Sequence, residues 1–108
     1  MRGTVDGVRF IAPELMYEAA EEQAAGTCAY LGPVSMGLGF GRYHEEYFPV
    51  STPSSFGWGG LGGSVGIADP VSAMSLGYAP NNFQIDVTSL GPRQQRFADA
   101  FAEVAQRQ

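Results

Sequence analysis

The 108-residue sequence contains no lysine, and cysteine, histidine and tryptophan occur only once each. The single cysteine, Cys28, cannot form an internal disulfide, so nothing in the sequence indicates an oxidising compartment. No apolar run approaches the roughly 20 residues of a membrane-spanning helix, and no secretory signal pattern follows Met1. We therefore expect a soluble, cytoplasmic protein with no membrane partner.

Positive charge is carried by arginine alone. The six arginines are scattered and the net charge is −5, whereas a nucleic-acid partner requires clustered lysine and arginine. The rest of the composition, 44% hydrophobic and 16% charged, is that of an ordinary globular protein. We therefore predict one domain over residues 1–108 and no nucleic-acid partner.

Both predicted helices begin with a proline, which suits the first helical position. The first is expected to begin at Pro13 and to end at Gly26, and the last begins at Pro92. Each carries one apolar stripe, as expected of a helix with one face on a core. The stripes are formed by Leu15, Met16, Ala19 and Ala20 in the first helix and by Phe97, Phe101 and Val104 in the last.

Three strands are predicted between the helices. In residues 35–44, Met36, Leu38 and Phe40 alternate with serine and glycine, which leaves one side of that strand almost bare. Residues 64–70 and 71–80 form two further strands, joined by a tight turn at Asp69-Pro70. The order predicts an α+β fold, a three-stranded antiparallel sheet with an N-terminal and a C-terminal helix. Residues 45–55 and 81–91 are predicted to be irregular.

Ser64 lies in a Gly-x-Ser-x-Gly match, the nucleophile elbow of α/β-hydrolases. That motif requires a helix after the serine and a later histidine, but the following residues indicate a strand and the only histidine, His44, comes earlier. Without a general base the hydroxyl is not activated. We therefore interpret Ser64 as a strand residue and predict no catalytic residue in the chain.

The other motif matches fail for similar reasons. Residues 57–62 match the dinucleotide fingerprint, but no helix follows them, and a phosphate-binding loop would require a lysine. His44, Glu45 and Glu46 have no second histidine or cysteine to complete a metal site. Cys28 has no basic neighbour in sequence to lower its pKa, which favours a structural thiol. No cofactor and no metal are expected.

Trp58 is the one candidate that these arguments leave. It is flanked by Gly57, Gly59 and Gly60 at the start of a predicted strand. An aromatic ring among glycines can form the wall of a pocket while the backbone amides approach a ligand, although packing on the core would explain the ring equally well.

Five segments of the chain resemble the penicillin-binding-protein-like serine hydrolases, meaning class C β-lactamases and related esterases. They occur in the family's order and cover nearly the whole chain, but only the last quarter or third of a family member. The segments are DGVRFIAPE, GLGFGRY, FGWGGLGGSVGIADP, SLGYAPNNF and GPRQQRFADAFAEV.

The resemblance implies a substrate-binding role for one segment. The family's third motif is similar to Trp58-Gly59-Gly60, in the Trp-x-Gly form of many esterase-type members. By that resemblance the amide of Leu61 is one of two oxyanion donors, and Asn81 lies at the pocket rim. The implied ligand is a small acyl ester or lactam.

The family's catalytic motifs are missing from these 108 residues. Ser-x-x-Lys requires a lysine, and none of the five tyrosines has asparagine or serine two places later, as Tyr-x-Asn or Tyr-x-Ser requires. The resemblance therefore implies a C-terminal part of such a hydrolase, inactive alone. The alternatives are a small non-catalytic binding module that keeps the pocket wall, and an independent hydrolase that uses Ser64. The expected partners are an N-terminal half of the hydrolase, or a second copy joined through the edge strand in residues 71–79.

Overall fold

A computed structural model describes residues 3–44, 52–83 and 92–107 of the chain. These residues form a two-stranded hairpin, a six-stranded antiparallel sheet and two helices, and the α+β class is confirmed. The hairpin consists of β1 (Thr4–Val5) and β2 (Val8–Arg9), and helix α1 (Pro13–Ala20) follows it.

The large sheet is a meander in which each strand pairs with its neighbours in sequence. Helix α2 (Pro92–Ala105) comes after the sheet. The strands are β3 (Ala24–Cys28), β4 (Gly32–Met36), β5 (Gly41–Arg42), β6 (Phe56–Gly59), β7 (Val65–Asp69) and β8 (Met74–Tyr78).

The prediction of three strands is wrong in two places. Helix α1 ends at Ala20 because Glu21 is extended, and Ala24–Cys28 then pairs with Gly32–Met36 as a hairpin that the sequence did not reveal. Alanine and glycine favour strands weakly, so the pairing and not the local propensity determines this hairpin. Residues 35–44 do not form one strand, because Gly37 donates a hydrogen bond to the carbonyl of Phe40 at 2.8 Å and turns the chain between β4 and β5.

Two other predicted elements lie where the sequence indicated. β7 and β8 form an antiparallel hairpin with Asp69 opposite Met74, and the turn contains Pro70. α2 begins at Pro92 and buries Phe101, although Val104 is 44% exposed. Residues 45–51 and 84–91, part of the predicted irregular segments, lie outside the described residues, and so do Glu45 and Glu46.

The core lies between α2 and one face of the β7–β8 hairpin. Val65 and Ile67 of β7 pack with Ala98 and Phe101 of α2. Met74, Leu76 and Tyr78 of β8 extend this cluster. α1 has no buried residue, so the expectation that each helix packs one apolar face on a core holds for α2 alone.

The other face of this part of the sheet carries few side chains. The strand register places Trp58 opposite Gly66, and Gly66 opposite Gly77. A Cβ atom built on either of the two glycines meets no atom within 4 Å. A row of exposed backbone therefore extends from Trp58 to the edge of the sheet.

Candidate functional site

Three segments meet at one end of the large sheet because neighbouring strands run in opposite directions. Gly59 at the end of β6 pairs with Val65 at the start of β7, and Val65 pairs with Tyr78 at the end of β8. The β6–β7 turn is closed by hydrogen bonds from the Gly60 amide to the Ser64 carbonyl at 2.8 Å and from the Gly63 amide to the Gly60 carbonyl at 2.9 Å. Residues that follow β6 and β8 are thereby brought to the same end.

The structure brings the predicted site residues to this end of the sheet. Trp58 and Gly59 are the last two residues of β6, Gly60 and Leu61 begin the turn, and Asn81 is exposed in the segment after β8. That segment lies against the turn, since a Cβ atom on Gly62 would be 2.8 Å from the ring of Phe83. The roles of the Leu61 amide and of Asn81 stay predictions.

Trp58 borders a groove of ≈ 460 Å³. Trp58 is 42% exposed, and Phe40 packs edge to face on Phe56 with ring centroids 5.2 Å apart. Phe40 and Phe56 were not predicted as site residues, although the alternation of Phe40 with glycine was a signal. The lining residues are Gly39, Phe40, Phe56, Gly57, Trp58, Gly66, Ile67, Ala68 and Leu76.

Two glycines near Trp58 allow close packing, Gly41 with the indole and Gly57 with the neighbouring strand. A Cβ atom on Gly41 would lie 2.5 Å from the six-membered ring of Trp58. A Cβ atom on Gly57 would overlap the carbonyl oxygen of Gly66 on the neighbouring strand. This close approach explains the bare side that the sequence showed at residue 41, since the indole occupies the space that a side chain would need.

A buried carboxylate fixes the segment that leads into β6. Asp69 is 1% exposed and accepts hydrogen bonds from the hydroxyls of Thr52 at 2.8 Å and Ser54 at 2.6 Å. Its own turn supplies two more, from the Val71 amide and the Ser72 hydroxyl, both at 2.9 Å. Burial raises the pKa of Asp69, but these four hydrogen bonds outweigh it and hold the pKa below the usual value.

Ser64 and His44 lie at opposite ends of β6. The Tyr43 amide bonds to the Ser55 carbonyl, which places His44 beside the start of β6, whereas Ser64 faces Gly60 beyond its end. The separation along the strand is about 15 Å. This histidine therefore cannot serve as the general base for Ser64. The Ser64 carbonyl also accepts a hydrogen bond from the Gln94 side chain at 3.2 Å, which ties the turn to α2.

Cys28 lies at the end of β3, away from this site. Hydrogen bonds with the backbone of Tyr30 and then of Leu31 lower its pKa, and they outweigh desolvation. Cys28 has no basic neighbour in sequence, and no sequence pattern indicates these backbone hydrogen bonds. Across the described ranges, no group of three histidine, cysteine or acidic side chains could hold a metal ion. Neither described helix is long and apolar enough to cross a membrane.

The chain is similar to part of several solved structures. No family model matches it, and no curated protein matches it. A penicillin-binding protein homolog from Caulobacter crescentus is 32% identical with a TM-score of 0.82, over 95% of this chain and 28% of that one. EstA from Arthrobacter nitroguajacolicus Rue61a is 26% identical with a TM-score of 0.76, over 90% and 26%. A family VIII carboxylesterase is 31% identical with a TM-score of 0.76, over 97% and 27%. The chain therefore spans about a quarter of the length of each.

Proposed function

We infer that this chain belongs to the penicillin-binding-protein-like family and forms one wall of an ester-hydrolysing active site whose nucleophile lies outside these 108 residues. The observation that carries the proposal is the meeting of Trp58, Leu61 and Asn81 at one end of the sheet, beside an apolar groove. The likeness to a structure described as a carboxylesterase supports an ester as the substrate class, with a lactam as the related alternative.

Each residue of this wall has a distinct proposed role. The exposed ring of Trp58 binds the apolar part of the substrate. Gly59 and Gly60 let the backbone approach the reacting carbonyl, and the Leu61 amide donates a hydrogen bond to the oxyanion that develops there. A donor fixed at the end of a strand needs no reorganisation as the charge forms. Asn81 contributes a polar group at the rim.

The nucleophile and its base are proposed to come from outside the sequence in hand. Ser64 and His44 lie at opposite ends of β6, about 15 Å apart along that strand. The 108 residues contain no Ser-x-x-Lys motif. A hydrolase of this kind needs a hydroxyl held next to a base. The missing residues are thus assigned to further polypeptide, in the same chain or in a partner.

Active-site labelling tests the proposal. The 108-residue chain alone should form no adduct with a fluorophosphonate and should give no burst with an activated ester, because an acyl-enzyme requires an activated nucleophile. The chain should then be joined to, or mixed with, polypeptide that contains Ser-x-x-Lys and Tyr-x-Asn. In that complex the fluorophosphonate should label the serine of Ser-x-x-Lys. A stoichiometric adduct on Ser64, lost in Ser64→Ala, would contradict the proposal.

A non-catalytic binding module is the second candidate, and the groove beside Trp58 favours it, since the groove is formed by this chain alone. In that case the chain should bind an ester or lactam without turnover. Added catalytic polypeptide should then change nothing in binding or in activity.

A further inference from the structure

Two irregular segments carry predicted site residues. Leu61 lies in the turn between β6 and β7, and Asn81 lies in the segment after β8. The two segments touch, because a Cβ atom on Gly62 would be 2.8 Å from the ring of Phe83. Neither segment is part of a helix or strand, so contacts with a more rigid element must fix where each one lies.

Helix α2 provides that rigid element. Its buried residues Ala98 and Phe101 pack on the side chains of β7, and Pro92 begins the helix in the position that suits proline. A helix held by buried side chains keeps its first turn in a defined place. Arg93 and Gln94 lie in this first turn. Their side chains leave the helix in different directions, and each reaches one of the two irregular segments.

Gln94 contacts the turn between β6 and β7. Its Nε2 atom donates a hydrogen bond to the Ser64 carbonyl oxygen at 3.2 Å, and the Gly60 amide donates to the same oxygen at 2.8 Å. A carbonyl oxygen has two lone pairs and can accept both hydrogen bonds. A Cβ atom on Gly59 would be 3.8 Å from Nε2, so the side chain also reaches the end of β6. The turn that contains Leu61 is thus tied to α2 at the oxygen that closes it.

Arg93 contacts the segment after β8. Its Nη1 atom donates hydrogen bonds to the Asn82 carbonyl at 3.1 Å and to the Tyr78 hydroxyl at 3.4 Å. Phe97 lies on the same side of the helix, four residues later, and packs against Tyr78 with ring centroids 4.3 Å apart. A hydrogen bond from a charged guanidinium is stronger than one from a neutral donor. Because Asn81 directly precedes Asn82, this contact also restricts the position of Asn81.

We propose that Arg93 and Gln94 are positioning residues that hold the two segments of the site in place, with Gln94 setting the position of the Leu61 amide and Arg93 that of Asn81. Their effect on catalysis rests on the proposed function, whereas their effect on the two segments does not. An oxyanion donor must lie at hydrogen-bond distance from the charge that develops, so a small displacement of it lowers the rate strongly. Each of the two side chains acts through the backbone that it holds.

Methionine variants test the two side chains separately. Gln94→Met keeps an unbranched side chain and a similar helix propensity while it removes the N–H donor, and Arg93→Met removes the guanidinium in the same way. The matched controls lie on the same helix. Gln95→Met loses an exposed hydrogen bond to Asp99 of 2.9 Å, and Arg96→Met removes a positive charge from an exposed residue.

Amide hydrogen exchange and NMR order parameters of the 108-residue chain measure the two segments directly. In Gln94→Met the amides of Gly60 and Gly63 should exchange about three- to tenfold faster, as the loss of one hydrogen bond implies. In Arg93→Met the backbone order parameters of residues 81–83 should fall. The amides of β7 and β8 should keep the parent's exchange rates in both variants, and the two controls should match the parent throughout.

Kinetics of an enzyme completed by catalytic polypeptide should separate the two roles. Gln94→Met should lower kcat about tenfold or more with little change in KM, because the Leu61 amide is proposed to bind a charge that develops only in the transition state. Arg93→Met should instead raise KM about three- to tenfold, because Asn81 is proposed to contact the bound substrate at the rim. The two controls should leave both constants unchanged.

Unchanged exchange and order in Gln94→Met and Arg93→Met would overturn the proposal. So would an equal loss of protection in β7 and β8, since the two side chains would then stabilise the fold in general and not these segments. Completed variants with the parent's kcat and KM would remove the positioning role and leave the proposed hydrolase intact. A parent that stays inactive with added catalytic polypeptide would remove the hydrolase role, and the exchange measurements alone would then decide whether the two residues hold the segments.

Discussion

Asp69 keeps a buried negative charge, although none of its hydrogen-bond partners among the described residues is a cation. Its four hydrogen bonds come from two segments, the 52–54 stretch before β6 and the turn after β7. A carboxylate that accepts several hydrogen bonds is favoured over its protonated form even when desolvation opposes it. The residue therefore joins the entry of the Trp58 strand to the neighbouring hairpin.

This charge should make the stability of the fold depend on pH in the acid range. The folded state holds the pKa of Asp69 below the value of about 3.9 in an unfolded chain. Its contribution to stability is then fully present above about pH 4 and is lost as the pH falls through the folded pKa. Asp69→Asn should cost about 1–3 kcal/mol at pH 7, because buried donors lose their acceptor.

Urea unfolding between pH 3 and pH 7 measures this effect. Asp69→Asn should be less stable than the parent at neutral pH, and the difference should shrink towards pH 3. The control is Asp99→Asn, which removes the same charge from the exposed surface of α2. A difference between Asp69→Asn and the parent that stays constant over the whole range would contradict the role given to the ionised carboxylate.

Trp58 should affect substrate choice more than the chemical step. Its side chain has apolar surface and no titratable group, so it can form a pocket wall but cannot transfer protons. In an active enzyme completed by catalytic polypeptide, Trp58→Ala should raise KM or change ester preference, with a smaller loss in kcat. Trp58→Phe is the control that keeps an aromatic wall. A fall in kcat as large as that from removing the nucleophile would exclude this role.

At the scale of strands, the packing of β6 against β7 requires a glycine at position 57. A side chain there would overlap the Gly66 carbonyl oxygen, and a backbone atom in a paired strand cannot move aside cheaply. Gly57→Ala should therefore lower the free energy of unfolding by about 1–3 kcal/mol or more.

The matched control lies on the paired strand. A Cβ atom on Gly66 meets nothing within 4 Å, so Gly66→Ala should be neutral or stabilising by up to about 1 kcal/mol, because glycine weakens a strand interior. Urea midpoints of the two variants provide the comparison. An equal loss of unfolding free energy in the two variants would contradict the assignment of Gly57 as crowded and Gly66 as open.

The sequence predicted those elements whose signal is local. These are the alternation in β7 and β8, the Asp69-Pro70 turn and the apolar stripe of α2. Each of these patterns is formed by residues that are close together in sequence. The β3–β4 hairpin was missed because alanine and glycine favour strands weakly, and because Gly26 is typical of the end of a helix. At the site, Trp58 and the turn after it were predicted. The Phe40–Phe56 contact and the hydrogen bonds from Thr52 and Ser54 to Asp69 were not, because they join residues far apart in sequence and no local pattern indicates such contacts.

At the scale of the whole molecule, much apolar surface faces outward. The accessible surface is 7012 Å², against about 5,800 Å² for a folded monomer of this size. Large apolar side chains on the hairpin, on both helices and in the 61–83 region are exposed. Surface of this kind marks contacts with other polypeptide or a risk of aggregation.

The net negative charge of −5 keeps copies of such a chain apart in solution, so solubility should depend on pH. The isoelectric point is near 4.6, and net repulsion between copies vanishes there. Static light scattering should rise to a maximum near that pH, above the range in which Asp69 loses its charge. If scattering rose only below pH 4, unfolding and not charge neutralisation would be the cause.

The contact between Gly41 and the indole of Trp58 also constrains how this sequence can change over generations. Two positions on neighbouring strands share one volume, so their substitutions are epistatic. A mutation that adds a side chain at 41 is harmful while the tryptophan remains, and becomes acceptable once a smaller residue has replaced it. Lineages must therefore lose the indole first, and a descendant with a side chain at 41 cannot easily regain it. The close spacing of β5 and β6 at these two positions therefore sets the order in which the two substitutions can occur.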